Sequence, residues 1–133
     1  MSPRSILVVT LSSVLGAAAL ATAPFAVASD GDGVERGACS NTSFKRLRVV
    51  PATNNGYLDV IGVVWSNDDD LWDWKMLHDG DLSAKGEVRA DGDADRSFRI
   101  KRSMLDFPGT DVIAFRAENN RTGETCFVKV DDF

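Results

Sequence analysis

Apolar residues along this chain recur at every second position in short runs, and clusters of Gly, Pro, Asn and Asp separate the runs. In FKRLRVV (44–50) Leu47 and Val49 share one face of an extended chain, and in YLDVIGVVW (57–65) Leu58, Val60 and Val64 do. In LWDWKML (71–77) Trp72, Trp74 and Met76 stand together, opposite Leu71, Asp73, Lys75 and Leu77. Successive side chains of a strand point to opposite faces, so this alternation predicts half-buried β-strands. The same reading places strands at SAKGEVR (83–89), SFRIKR (97–102, burying Phe98 and Ile100) and DVIAFRAEN (111–119, burying Ile113, Phe115 and Ala117). The last strand is TCFVKV (125–130), with Cys126, Val128 and Val130 inward. No segment sustains an apolar repeat of helical period. Seven short antiparallel strands between turn signals predict an all-β sandwich, one domain over residues 39–133.

The first 28 residues are of another composition. Arg4 supplies a positive start, Ile6 to Ala21 is uncharged and largely apolar, and Ala26-Val27-Ala28 offers a small-x-small cleavage pattern. This predicts a secretory signal removed after Ala28, since the Ser, Thr, Gly and Ala in the run dilute it below what a permanent bilayer span of about 20 residues needs. The charged ERGA before Cys39 is wrong for lipid attachment, and the C-terminus carries no apolar tail, so no membrane anchor is expected. SDGDGVERG, polar and rich in Gly and Asp, predicts a flexible leader over 29–38. In an oxidising compartment two cysteines at opposite ends of a small domain predict one disulfide, Cys39 to Cys126. The chain-entropy model assigns such a long loop about 4 to 5 kcal/mol.

Charge narrows the function classes. The chain carries 15 basic and 20 acidic residues, a net of −5, and loss of residues 1–28 removes only Arg4, leaving −6. An acidic domain of this kind is not expected to bind nucleic acid or an anionic lipid surface. The most conspicuous stretch, NDDDLWDWKMLHDGD (67–81), reads as a core strand between two turns. Its tryptophan stripe suits the space between two sheets, while Asp and Asn in the flanks suit turns, with Asp79-Gly80 a hairpin signal.

Little chemistry is legible. His78 is the single histidine, with no nucleophile context near it, and reads as a turn residue. DGDADR (91–96) spaces Asp91, Asp93 and Asp95 like the start of a calcium loop. Arg96 and Arg102 then stand where that motif needs Gly and Glu, so no metal or other cofactor is expected. One apolar feature is left over: Ile61, Val63 and Trp65 lie on the face of their strand opposite Leu58, Val60 and Val64. If that face is outward, it predicts an interaction patch rimmed by Asp68, Asp69 and Asp70. The alternatives are that Ile61 and Val63 are covered by the N-terminal segment, or that Gly62 makes a bulge that switches faces.

The Trp-bearing third strand, the WxWxxxxDG segment (72–80) and the PGTDxIxFRAxNxxTGExC segment (108–126) resemble small secreted actinobacterial proteins with an immunoglobulin-like or fibronectin type III-like sandwich. The resemblance implies a fold and a compartment and transfers no catalytic residue. Antibody domains differ in pairing a cysteine of the second strand, where this chain has none. The expected function is therefore a secreted, monomeric, non-catalytic binding domain whose partner is an extracellular protein or an envelope glycan. A carbohydrate-binding module, with Trp65 stacking on a sugar and Asp68, Asp69 or Asp70 accepting its hydroxyls, is the rival, and a structural secreted protein without a ligand is a third reading.

Overall fold

The computed structural model describes residues 33–53, 56–93, 96–131 and 133. Eight strands follow one another: β1 (Gly33–Ala38), β2 (Phe44–Pro51), β3 (Tyr57–Trp65), β4 (Leu71–His78), β5 (Asp81–Arg89), β6 (Phe98–Leu105), β7 (Ile113–Asn119) and β8 (Thr125–Val130). They form two four-stranded antiparallel sheets, in the orders β1-β2-β3-β6 and β5-β4-β7-β8. The seven expected strands are β2 to β8. Their connectivity is that of an immunoglobulin-like sandwich: a hairpin in one sheet, a hairpin in the other, one strand back, then a final hairpin across.

β1 corrects the expected leader over 29–38. GVERGA pairs along the whole of β2, from Gly33 opposite Val49 to Ala38 opposite Phe44. An edge strand is held by its backbone ladder, so it does not need the alternating apolar row that made the other strands legible. The expected signal segment, residues 1–28, and the first residues of the expected leader lie outside the described residues.

The space between the sheets is filled as the alternation predicts. Leu47, Val49, Leu58, Val60 and Val64 of one sheet meet Trp72, Trp74, Met76, Ile113, Phe115 and Ala117 of the other, all buried. Trp72 packs across the interface against Phe98, ring centroids 5.6 Å apart. Two glycines make room for rings. A Cβ on Gly62 would lie 2.7 Å from the Phe115 ring, and one on Gly86 would lie 2.9 Å from the Trp74 indole. β3 keeps its register on both sides of Gly62, so the alternative of a face-switching bulge there does not hold.

The expected disulfide joins Cys39 to Cys126, 87 residues apart in sequence, and ties the end of β1 to β8. Beside it the buried Glu124 carboxylate accepts hydrogen bonds from the backbone N–H of Asn41 and Ser43 and from the Ser43 hydroxyl. Asp79 (φ 50°) and Gly80 (φ 88°) make the β4–β5 turn, both in the left-handed region that such a two-residue hairpin requires.

Gly62→Ala forces its new methyl against the Phe115 ring, and overpacking of this kind costs about 1–3 kcal/mol. Urea unfolding should show that loss for Gly62→Ala. Gly37→Ala, whose Cβ would meet only the Lys45 stem at 3.8 Å, is the control. Equal midpoints for the two variants would refute the account of Gly62.

Candidate functional site

The outer face of the β1-β2-β3-β6 sheet is built from the residues that alternate with the core. Strand register arranges them in rows. Arg36 stands opposite Arg46, Arg46 opposite Val63, and Val63 opposite Arg99. The next row runs Val34, Arg48, Ile61, Lys101. Ile61 and Val63 are thus each flanked by two long cationic side chains.

This arrangement corrects the expected patch. Val63 is fully buried and Ile61 is 6% exposed, although neither belongs to the core between the sheets. Directly opposed residues of antiparallel strands lie about 5 Å apart, which puts Arg46, Arg48, Arg99 and Lys101 beside the two aliphatic side chains, where their methylene stems can cover them. Sequence alternation located the row correctly, but nothing local reports that a neighbour's stem will cover it. Of the expected trio only Trp65 stays partly accessible.

Trp65 pairs with Phe44, which is 58% exposed, and the Arg46 guanidinium lies 5.5 Å from the indole centroid. Together with Arg36, Gly37, Ala38 and Lys45 they line an open groove of about 540 Å³. Its walls carry arginine heads and its floor is largely hydrocarbon. The Arg46 Nε is enclosed there without a hydrogen-bond partner.

The sign of the charge on this face runs against that of the whole chain. Among the described residues of these strands, Arg36, Arg46, Arg48, Arg99 and Lys101 lie on this face with one acid, Asp59, which is 3.7 Å from Lys101. The outer face of the other sheet mixes Asp73, Glu87 and Glu118 with Lys75, Lys85 and Arg116. Arg36 directly opposite Arg46 is a like-charge pair, which disfavours the strand pairing that contains it. Folding alone does not call for such a pair.

The acidic rim takes a different role from the one expected. Asp68 Oδ1 accepts from the Trp72 indole N–H and from the Asp70 backbone N–H, both at 3.0 Å. Asp69 accepts from the Gly92 N–H. Asp70 accepts from Arg121 Nε at 2.8 Å and from the Asn119 amide at 3.0 Å. The three carboxylates brace their own loop and anchor the tryptophan strand, so they form no open acceptor row beside Trp65. Asp91 likewise caps its own turn through the Asp93 N–H, and Asp95 lies outside the described residues.

His78 also departs from the expected turn residue. It is 7% exposed, its Nε2 lies 2.7 Å from Asp111 Oδ1 and 3.7 Å from Asp79 Oδ2, and the Phe107 ring stacks on it at 4.6 Å. Asp111 is 33 residues away along the chain, so no local motif announces the pair. The Asp106 carboxyl is pushed above the ordinary carboxylate range, chiefly by its side-chain interaction with Asp111, with burial adding to this and His78 opposing it.

Comparison of the chain with protein-family models, curated proteins and solved structures finds no match. Among the described residues no helix is long and apolar enough to cross a membrane.

The Asp70 contacts carry a pH signature. The Arg121 hydrogen bond first, and the Asn119 bond second, hold the Asp70 carboxyl below the ordinary range. A carboxylate whose pKa is depressed in the folded state adds stability above its unfolded value of ~3.9, and the contribution disappears as pH falls through the folded value. The stability difference between wild type and Asp70→Asn should therefore be full at pH 7 and shrink towards pH 2.5 in urea unfolding. A difference independent of pH would show that the Asp70 charge is not what holds the loop.

Proposed function

We propose that this chain is a secreted, non-catalytic binding domain that engages an anionic component of the cell envelope through the outer face of its β1-β2-β3-β6 sheet. The observation that carries the reading is the Arg36–Arg46–Arg99 row beside the Trp65 groove, on a chain whose net charge is −5. Three strand spacings separate the ends of that row, about 14 Å, long enough to follow successive phosphates or carboxylates of an extended polymer. The groove beside it supplies apolar contact through Phe44 and Trp65.

The compartment belongs to the same reading. A disulfide suits an extracellular protein, and residues 1–28 have the composition of an export signal. The resemblance to small secreted actinobacterial sandwich proteins agrees with both. An acidic extracellular protein would meet the same cationic surface, and the test separates it from a polymer. Stacking of a neutral sugar on Trp65 is disfavoured, because the Arg46 guanidinium already lies over that ring.

The test is co-sedimentation of the chain after Ala28 with purified envelope, before and after protease treatment, across a range of salt concentrations. Wild type should be retained at low salt and released as salt rises, with protease making no difference. Arg36→Gln/Arg46→Gln/Arg99→Gln keeps much of each stem over Val63 and should weaken retention at least tenfold; Lys75→Gln/Lys85→Gln/Arg116→Gln on the other sheet should not. Equal retention of both triple variants would sink the proposal, and loss after protease would move the partner to a protein.

A further inference from the structure

At one end of the sandwich, away from the cationic row, three side chains that could hold a metal come from two separate places in the chain. His78 ends β4, Asp79 sits in the β4–β5 turn, and Asp111 lies in the connection from β6 to β7. The potential ligand atoms of His78, Asp79 and Asp111 all lie within 4.8 Å of one another.

The backbone around them is held from several sides. The Asp79 N–H donates to the Val112 carbonyl, and the Val112 N–H donates to Asp79 Oδ1. Asp111 exchanges backbone hydrogen bonds with Phe133, and the Asp106 N–H donates to the Gly56 carbonyl. The ligand atoms are thus placed before any ligand arrives.

Two features do not fit a purely internal hydrogen-bond network. Asp111 is fully buried, yet its Oδ2 has no hydrogen-bond donor, whereas a buried carboxylate oxygen is normally satisfied. Asp79 and Asp111 both face His78 Nε2, and one ring nitrogen carries at most one proton to share between them.

We infer that His78, Asp79 and Asp111 form a zinc site. An imidazole nitrogen with carboxylate oxygens is a donor set for Zn²⁺, while Ca²⁺ and Mg²⁺ favour oxygen alone. Tetrahedral zinc with bonds of 2.0–2.1 Å sets its ligand atoms about 3.3 Å apart, and the separations of 2.7 and 3.7 Å around His78 Nε2 bracket that figure. Three protein ligands leave the fourth position of a tetrahedral ion to water. Bound there, zinc joins the β4–β5 hairpin to the β6–β7 connection, and through the Asp111–Phe133 hydrogen bonds to the C-terminal segment. The half-exposed Phe107 ring over His78 shields one side, and the exposed Asp79 marks the way in.

The test uses the untagged protein after chelator treatment, titrated with ZnCl₂ by calorimetry and followed by thermal unfolding. One zinc should bind per chain and raise Tm, with CaCl₂ and MgCl₂ having no such effect. Asp79→Asn alters an exposed side chain, should fold, and should weaken zinc binding at least tenfold. His78→Gln should abolish the one-to-one binding and the Tm rise. Absence of one-to-one binding by wild type would overturn the inference, and so would wild-type affinity in folded Asp79→Asn. The proposed envelope binding is measured separately in the co-sedimentation assay, so either can fail without the other.

Discussion

The two sheets meet through the Trp72–Trp74–Met76 row of β4, and the rest of the fold has to accommodate the size of those side chains. Large rings between sheets bury much apolar surface, but they close-pack only where neighbouring or facing strands give way. Gly86 yields beside the Trp74 ring, Gly62 yields over Phe115, and Phe98 tilts against Trp72 at 53°. The far side of Trp74 is met by the Arg102 guanidinium, 4.8 Å from its centroid. Even the polar edge of the row is provided for, since the Trp72 indole N–H donates to Asp68. The aspartate-rich loop before β4 is in this sense part of the core packing.

With the interior filled by one row from each strand, the alternate residues are left to the outer faces, and there the two sheets diverge. The face of β5-β4-β7-β8 balances its charges, and the face of β1-β2-β3-β6 does not. The same arginine and lysine side chains do two things. Their stems bury Ile61 and Val63, removing an apolar liability from the surface, and their heads create a field of opposite sign to the molecule as a whole. A single substitution that shortens such a side chain disturbs both, which is why glutamine is the informative replacement.

Contacts between distant parts of the chain close the ends of the sandwich. Cys39–Cys126 and the Glu124 carboxylate hold the 39–43 segment against the start of β8. Asp70 joins the loop before β4 to Asn119 and Arg121 after β7. His78 and Asp111 meet at the end of β4. In each case a buried or partly buried acid finds its donors far along the chain, so aspartates that look alike in sequence have different work to do.

Period-two alternation and turn chemistry determined β2 to β8, the inward row of each strand and the Asp79-Gly80 turn, because these depend on geometry within a few residues. Two cysteines in a chain with an apolar leader determined the disulfide for a similar reason: only one intramolecular pairing exists. What tertiary structure alone decided is everything that depends on a neighbouring strand. β1 is a strand because β2 offers it an open edge, not because GVERGA carries a pattern. Ile61 and Val63 are buried because Arg46, Arg48, Arg99 and Lys101 stand beside them in register, and the cationic row exists only once four strands align. His78 is a buried partner of Asp111 because the sandwich brings together residues that are 33 apart in the chain. A sequence specifies its own alternation locally; which side chain covers, pairs with or repels another is set by the register between strands, and register is a property of the folded sheet.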